Sequence, residues 1–206
     1  NFARTDEATQ KAIDIHSGLD STLLILQHRF KAYGHRPEIQ VQLHYGDLPQ
    51  VECYPSQLNQ VFMNLLANAI DALETADAER SPAARAAHPP TITIRTRLLE
   101  PEQIESEQIE SGQIESGQIE IVIADNALGI PPSAQAKIFD PFFTTKPVGK
   151  GTGLGMSISY QIITERHQGQ LSFNSTPEQG TEFIIQIPCE LHGLKGSPPT
   201  RPTTFT

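Results

Sequence analysis

The 206-residue chain has no tryptophan, two cysteines, and no apolar run long enough to span a membrane. Each shortage excludes something. Cys53 and Cys189 stand in unrelated contexts without metal-ligand spacing, so a disulfide framework and a zinc module are both disfavoured and two reduced cytoplasmic thiols are expected. The seven histidines are scattered and never paired at ligand spacing. Positive charge is in deficit: 15 Lys and Arg against 24 Asp and Glu give a net charge of −9. A nucleic-acid binder needs a basic face, and an anionic membrane surface attracts basic segments; neither is offered here. The first residues do not resemble a signal peptide, and the chain begins at Asn1 without Met, as expected of a piece of a larger protein.

Hydrophobic periodicity supplies the elements. Residues 3–33 read as one long helix, with Ala8, Ala12, Ile15, Leu19, Leu23, Leu26, Phe30 and Tyr33 at spacings of three and four. Gly18 inside it costs about 1 kcal/mol relative to Ala, and Gly34 and Pro37 end it. Its stripe suits a helical bundle, or packing on the domain itself. "EIQVQLHYG" (38–46) alternates as a strand, and 56–76 is a helix with a broad apolar face running from Leu58 to Leu73. "SPAARAAHPP" reads as loop. Strands follow at 91–99 and 118–125, a hairpin pair separated by the tandem "QIESEQIESGQIESGQIE", which is too short in period for a repeat architecture and reads as an expanded, solvated loop. A helix over 155–169 closes at Gly169. Two strands, "QLSFNS" and "TEFIIQIP", come next, and a Pro- and Thr-rich tail starts at Cys189.

The chemistry concentrates in "DNALGIPPSAQAKIFDPFFTTKPVGKGTGLGMS", residues 125–157. Gly149, Gly151, Gly153 and Gly155 surround Lys150 and Thr152. Such glycine density brings backbone N–H groups close to an anion. It is no Walker loop, since Lys150 is followed by Gly151, and no dinucleotide fingerprint, since no strand precedes it. A loop running into a helix start at Gly155, with Lys146 and Lys150 nearby, suits phosphate oxygens, and on these features alone reads equally as a plain surface loop. Upstream, Asn64 and Asn68 share one helical face, with Asp71 beside them. They are either a hydrogen-bonded structural pair or a source of an amide oxygen for Mg²⁺. Asp125 ends a strand at a glycine-containing turn, as a turn cap or as an acceptor for an adenine amino group.

Together these stretches resemble one family. "NQVFMNLLANAIDAL" is similar to the N box of sensor histidine kinases, "DNALGI" to their G1 box, "IFDPFFTTK" to their F box, "GKGTGLGMS" to their G2 box and "GTEFIIQIP" to their closing strand, in the family's order over roughly 39–188. The fold implied is an α/β (α+β) two-layer sandwich, the Bergerat fold: a mixed, mostly antiparallel sheet covered by helices on one face. Here one long bundle-type helix precedes it. Three regions follow: 1–36 as the C-terminal helix of a dimerisation and histidine-phosphotransfer bundle, 37–189 as the catalytic ATP-binding domain, and 190–206 as tail or linker.

By residue, the resemblance implies that Asn68 coordinates Mg²⁺ with Asn64 alongside, and that Asp125 binds the adenine amino group. Guanine presents an acceptor oxygen at that position, so ATP is favoured over GTP. Gly129 and Ile130 would line the base pocket and Thr181 would lie near the adenine. Lys146, Gly151, Thr152, Gly153, Leu154 and Gly155 would form the lid and phosphate contacts. The catalytic set would be Asn64, Asn68 and Lys146, with ATP and Mg²⁺ as cofactors. Hydrolytic relatives place Glu where Asn64 stands; a neutral amide cannot take a proton from water, so ATP would persist for a histidine acceptor.

The implied partners are a dimerisation bundle carrying the acceptor, in the same chain or a partner subunit of a homodimer, and a response regulator receiver domain. The expected location is the cytoplasm, with membrane attachment of the full-length protein left open. His16 is followed by "SGLDS" and lacks the acceptor pattern, which places the acceptor before Asn1. Two departures stand out. Ala127 replaces the family's usual Gly; if its backbone is left-handed, Ala costs about 1–2 kcal/mol and weakens binding. Asp71 replaces a frequent Lys or Arg, leaving charge compensation to Lys146. The alternatives are an ATPase of the same fold and a degenerate nucleotide- or partner-binding module.

Overall fold

The computed structural model describes residues 9–34, 36–99, 117–146 and 151–191. Most of the QIESG repeat, Gly149, Lys150 and the tail from residue 192 lie outside them. The elements are β1 (Lys11–Ile13), α1 (Ile15–Phe30), β2 (Gln40–Tyr45), β3 (Val51–Cys53), α2 (Pro55–Glu79), α3 (Pro82–Ala87), β4 (Thr91–Leu99), β5 (Gln118–Asp125), α4 (Pro132–Gln135), α5 (Gly155–Gln161), β6 (Gln170–Thr176) and β7 (Gly180–Pro188). After α5 the helix widens into a π-type turn over Ile162–Arg166.

The main sheet runs β2-β4-β5-β7-β6. β2 pairs with β4 in parallel and the other pairs are antiparallel. The mixed, mostly antiparallel sheet expected from the sequence is therefore present. Side chains alternate between its faces. Ile92, Ile94, Ile119, Ile121, Ile123, Ile185 and Ile187 point inward and are buried in one core with Leu58, Phe62, Leu65, Leu66 and Ile70 of α2. The outward set is mixed, with Val122 and Ile184 beside polar pairs: Arg95 meets Glu182 at 2.6 Å, and Glu120 takes Arg97 at 2.7 Å and Gln186 at 2.9 Å. Asp125 pairs with Ile92 on one side and Thr181 on the other, so it belongs to the inward set. Its carboxyl faces the helical layer at the sheet's end.

The expected helix over 3–33 begins only at Ile15. Asp14 caps it, its carboxylate accepting from the His16 N–H at 2.9 Å, and Lys11–Ile13 instead form a strand against Val51–Cys53. α1 lies against α2 and buries Ile15, Leu19, Leu26 and Phe30, whereas Tyr33, read as part of the stripe, is 84% exposed. "SPAARAAHPP" is not all loop. Ser81 caps α3, with Pro82 in the first turn, where a missing N–H costs nothing. Order also extends past Cys189: its N–H bonds Gly117, its carbonyl accepts from Glu52, and Leu191 is buried.

His167 explains the widened turn. It is buried, donates through Nδ1 to the Ile162 carbonyl at 2.9 Å and accepts at Nε2 from the Tyr54 N–H at 3.1 Å. Burial holds its pKa below the ordinary histidine value, and the neutral ring ties α5 to the start of α2. It is a structural histidine.

Candidate ATP-binding site

α2 presents Asn64, Asn68 and Asp71 along one side, and α5 begins opposite them. Asn64 Nδ2 donates to the Gly155 carbonyl and to Ser159 Oγ, both at 3.1 Å. Asn68 Nδ2 reaches Met156 Sδ at 3.1 Å, which leaves Oδ1 for a cation; Lys146 Nζ lies 3.0 Å from it. Lys146 also bonds Asp71 Oδ2, while Arg29 of α1 bonds Asp71 Oδ1 at 2.6 Å and Glu74 at 3.1 Å. Burial alone would raise the Asp71 carboxyl, but hydrogen bonds from Lys146 and Arg29 outweigh it and hold its pKa below the ordinary value.

At the sheet's end, Asp125 Oδ1 accepts from the Ala127 N–H at 3.0 Å, and a second backbone bond comes from Thr181. Among the described residues no cation pairs with it. Desolvation by burial therefore raises its pKa to about 6, with the two backbone bonds pulling the other way. The turn after it is fixed to the β6–β7 hairpin. Ser175 Oγ accepts from the Ile130 N–H at 2.8 Å and contacts Thr181 Oγ1 at 2.9 Å. Gly129 sits at φ +76°, where a Cβ would lie 2.4 Å from the Thr176 carbonyl oxygen.

Gly153 is equally constrained. It adopts φ +66°, and a Cβ would lie 2.4 Å from the Phe142 backbone, itself left-handed at φ 67°. The Phe142 N–H donates to the Gly153 carbonyl at 2.9 Å. The segment containing Lys146 and the segment leading into α5 are thus held together. Thr152 Oγ1 accepts from the Leu154 N–H at 3.4 Å, a bond within the loop, and Gly151 lies against Thr144 and Lys146.

The residues singled out in the sequence therefore fall into two groups. Asp125, Gly129, Ile130 and Thr181 meet around the end of β5 and the β6–β7 hairpin. Asn64, Asn68, Asp71 and Lys146 meet between α2 and the glycine segment of Gly151 to Gly155. Ala127 does not take a left-handed backbone, so the strain expected there is absent; its methyl is buried in the core. Two residues escaped sequence reasoning. Arg80, just after α2, holds the Asn126 carbonyl at 2.8 Å and so steadies the turn. Arg29 reaches the site from α1. Neither carries a local pattern that marks it.

The fold and these two groups define an α/β domain whose candidate site has an acidic end and a cation-bearing end. Residues 53–191 match the family of histidine kinase-, DNA gyrase B-, and HSP90-like ATPases. The chain belongs to that family. It is 30% identical over 151 residues to sporulation kinase E of Bacillus subtilis, covering 73% of this chain and 16% of that protein. It is 35% identical over 152 residues to sensor kinase CckA of Brucella abortus, covering 73% and 14%. The chain thus spans about a sixth of these relatives' length. The catalytic domain of histidine kinase ThkA matches with a TM-score of 0.64 at 22% identity, covering 88% of this chain and 96% of that one, a likeness of fold. The domain is of the sensor histidine kinase ATP-binding type.

Proposed function

We propose that this domain binds Mg²⁺-ATP and delivers the γ-phosphoryl group to a histidine elsewhere in the full protein, for relay to a response regulator aspartate. The carrying observation is the polarity of the site: a carboxyl held by two backbone N–H groups, with no cation partner among the described residues, faces inward at one end, and an amide oxygen already holding an ammonium lies at the other. Asp125 accepts from the adenine amino group when ionised. The turn of Gly129 and Ile130 shapes the base pocket, and Thr181 completes its floor. Lys146 supplies positive charge to the phosphates, and the Gly151 to Gly155 segment approaches them with its backbone. Asn64, whose N–H₂ group is committed to Gly155 and Ser159, holds α5 in place beside Asn68.

The donor set fits a magnesium ion bound largely by phosphates and water. Asn68 Oδ1 accepts a cation in this structure, the Lys146 ammonium, and is the ligand the chain would offer. When bound, the ion would offset charge on the phosphates. No carboxylate stands where Asn64 does, which supports transfer over hydrolysis. His16 is a poor acceptor: its Nε2 contacts Thr96 Oγ1 at 2.9 Å and its ring stacks on Tyr45 at 4.2 Å. α1 also exposes Leu24 and Ile25 at 64% and 62%, a face suited to the rest of a dimerisation bundle. Histidine kinase ThkA has been solved in complex with response regulator protein TrrA, which supports a receiver domain as partner here. No helix among the described residues is long and apolar enough to cross a membrane, and we place the domain in the cytoplasm.

The test is to incubate the full-length protein with γ-labelled ATP. Acid-labile, alkali-stable label on the protein, lost in Asn68→Ala, is the expected result. Rapid release of free phosphate without protein label would overturn the assignment in favour of an ATPase.

A further inference from the structure

The phosphate end of the site contains two carboxylates that a triphosphate would repel. Asp71 and Glu74 lie about one turn apart on α2, beside Asn68. Four charges balance there: Asp71 and Glu74 against Lys146 and Arg29. The balance holds only while Lys146 stays on Asp71. Once Lys146 turns to phosphate, Arg29 is the cation left to both carboxylates among the described residues, and it divides its bonds between them at 2.6 and 3.1 Å. Arg29 is not part of the matched family region, which begins at residue 53. It comes from α1 and is held in place by the burial of Leu26, three residues before it, and Phe30, one residue after it, against α2.

We propose that Arg29 is a positioning residue for ATP, acting through Asp71: from α1 it neutralises the α2 carboxylates and frees Lys146 for the phosphates. This rests on the ATP-site assignment above. Without Arg29, Asp71 keeps its full charge. It then holds Lys146 more strongly and also repels the incoming triphosphate, and both effects lower affinity. The domain's affinity for ATP is therefore coupled to the docking of α1, and by linkage ATP binding strengthens that docking. A shift of α1 that withdraws Arg29 would weaken the site without touching any residue that contacts nucleotide.

The experiment is calorimetric titration of the chain with ATP and, separately, adenosine, in the unmutated protein, Arg29→Gln, Arg29→Lys, and the double variant Arg29→Gln with Asp71→Asn. Arg29→Gln is expected to weaken ATP by roughly tenfold at low salt, the scale of one uncompensated charge near the phosphates. Adenosine, which carries no phosphate, should bind unchanged and reports that the fold is intact. Arg29→Lys should recover most of the loss, and the double variant should recover it by removing the carboxylate itself. ATP affinity unchanged in Arg29→Gln would overturn the proposal. So would equal losses for ATP and adenosine, or a double variant as weak as the single one. Failure of the unmutated protein to bind ATP, or binding that Asp125→Asn does not diminish, would instead overturn the site assignment and this inference with it.

Discussion

Replacing Asp125 with Asn is expected to stabilise the empty domain while weakening its hold on ATP. The carboxyl faces the helical layer with two backbone N–H donors and, among the described residues, no cation, and burial raises its pKa from 3.8 to about 6. A raised carboxyl pKa means that the folded state binds its proton more tightly than the unfolded state does. Asp125 therefore favours folding fully only below about pH 3.8, and that contribution is lost as pH rises through about 6. Above pH 6 the ionised group is a burden on the empty fold. The gap corresponds to about 3 kcal/mol at most; because Asp125 is only partly buried as a residue, about 1–3 kcal/mol is the expected range. Urea unfolding of both proteins from pH 4 to pH 8 measures it. The advantage of Asp125→Asn should grow between pH 4 and 6 and stay flat above. Adenosine affinity in the unmutated protein should rise with pH through about 6, because only the carboxylate is the strong acceptor. A pH-independent difference between the two stabilities, or adenosine affinity that does not change from pH 5 to 7.5, would refute the reasoning.

Gly153→Ala should weaken ATP by at least tenfold, since a Cβ there meets the Phe142 backbone at 2.4 Å in a left-handed conformation costing about 1–2 kcal/mol by itself; fluorescence titration with a nucleotide analogue reads it. Ala127→Gly should leave ATP affinity unchanged and lower stability by about 1 kcal/mol, because a buried methyl is lost and a flexible residue gained; tighter ATP binding would restore the idea that this position prefers Gly. Asn64→Glu should cost about 1–3 kcal/mol by facing the Gly155 carbonyl with an acceptor, and should raise phosphate release from ATP in a coupled assay if the missing base is what suppresses hydrolysis.

The long elements were legible because their patterns are long. β4 and β5 occupy the residues their alternation predicts, and α2 extends the expected helix by one residue at its start and three at its end. β1 was not legible. Three residues are too few for a period to show, and Ala8 and Ala12 carried the helical pattern across Asp14, although an Asp before an apolar run is a recognised start signal. Ser81 and Pro82 likewise announced α3, but six residues surrounded by Pro and Ala read as loop. Cys189 and Leu191 looked like tail from composition, while their burial depends on contacts with Glu52 and Gly117 that are distant in sequence. In the site, the Asn, Asp and Gly residues carried a local signature. The Arg29–Asp71 pair spans 42 positions and joins two helices. No local pattern encodes such a pair, and the balance of charge at the phosphate end is visible only once the helices are packed.

The most direct test is calorimetric titration of the chain with ATP, with and without Mg²⁺, beside Asn68→Ala and Asp125→Asn. Saturable binding is expected in the unmutated protein, strengthened by Mg²⁺. Asp125→Asn should lose most of the affinity, and Asn68→Ala should keep a metal-independent remainder while losing the response to Mg²⁺. No binding up to millimolar ATP, or binding indifferent to both substitutions, would contradict the account.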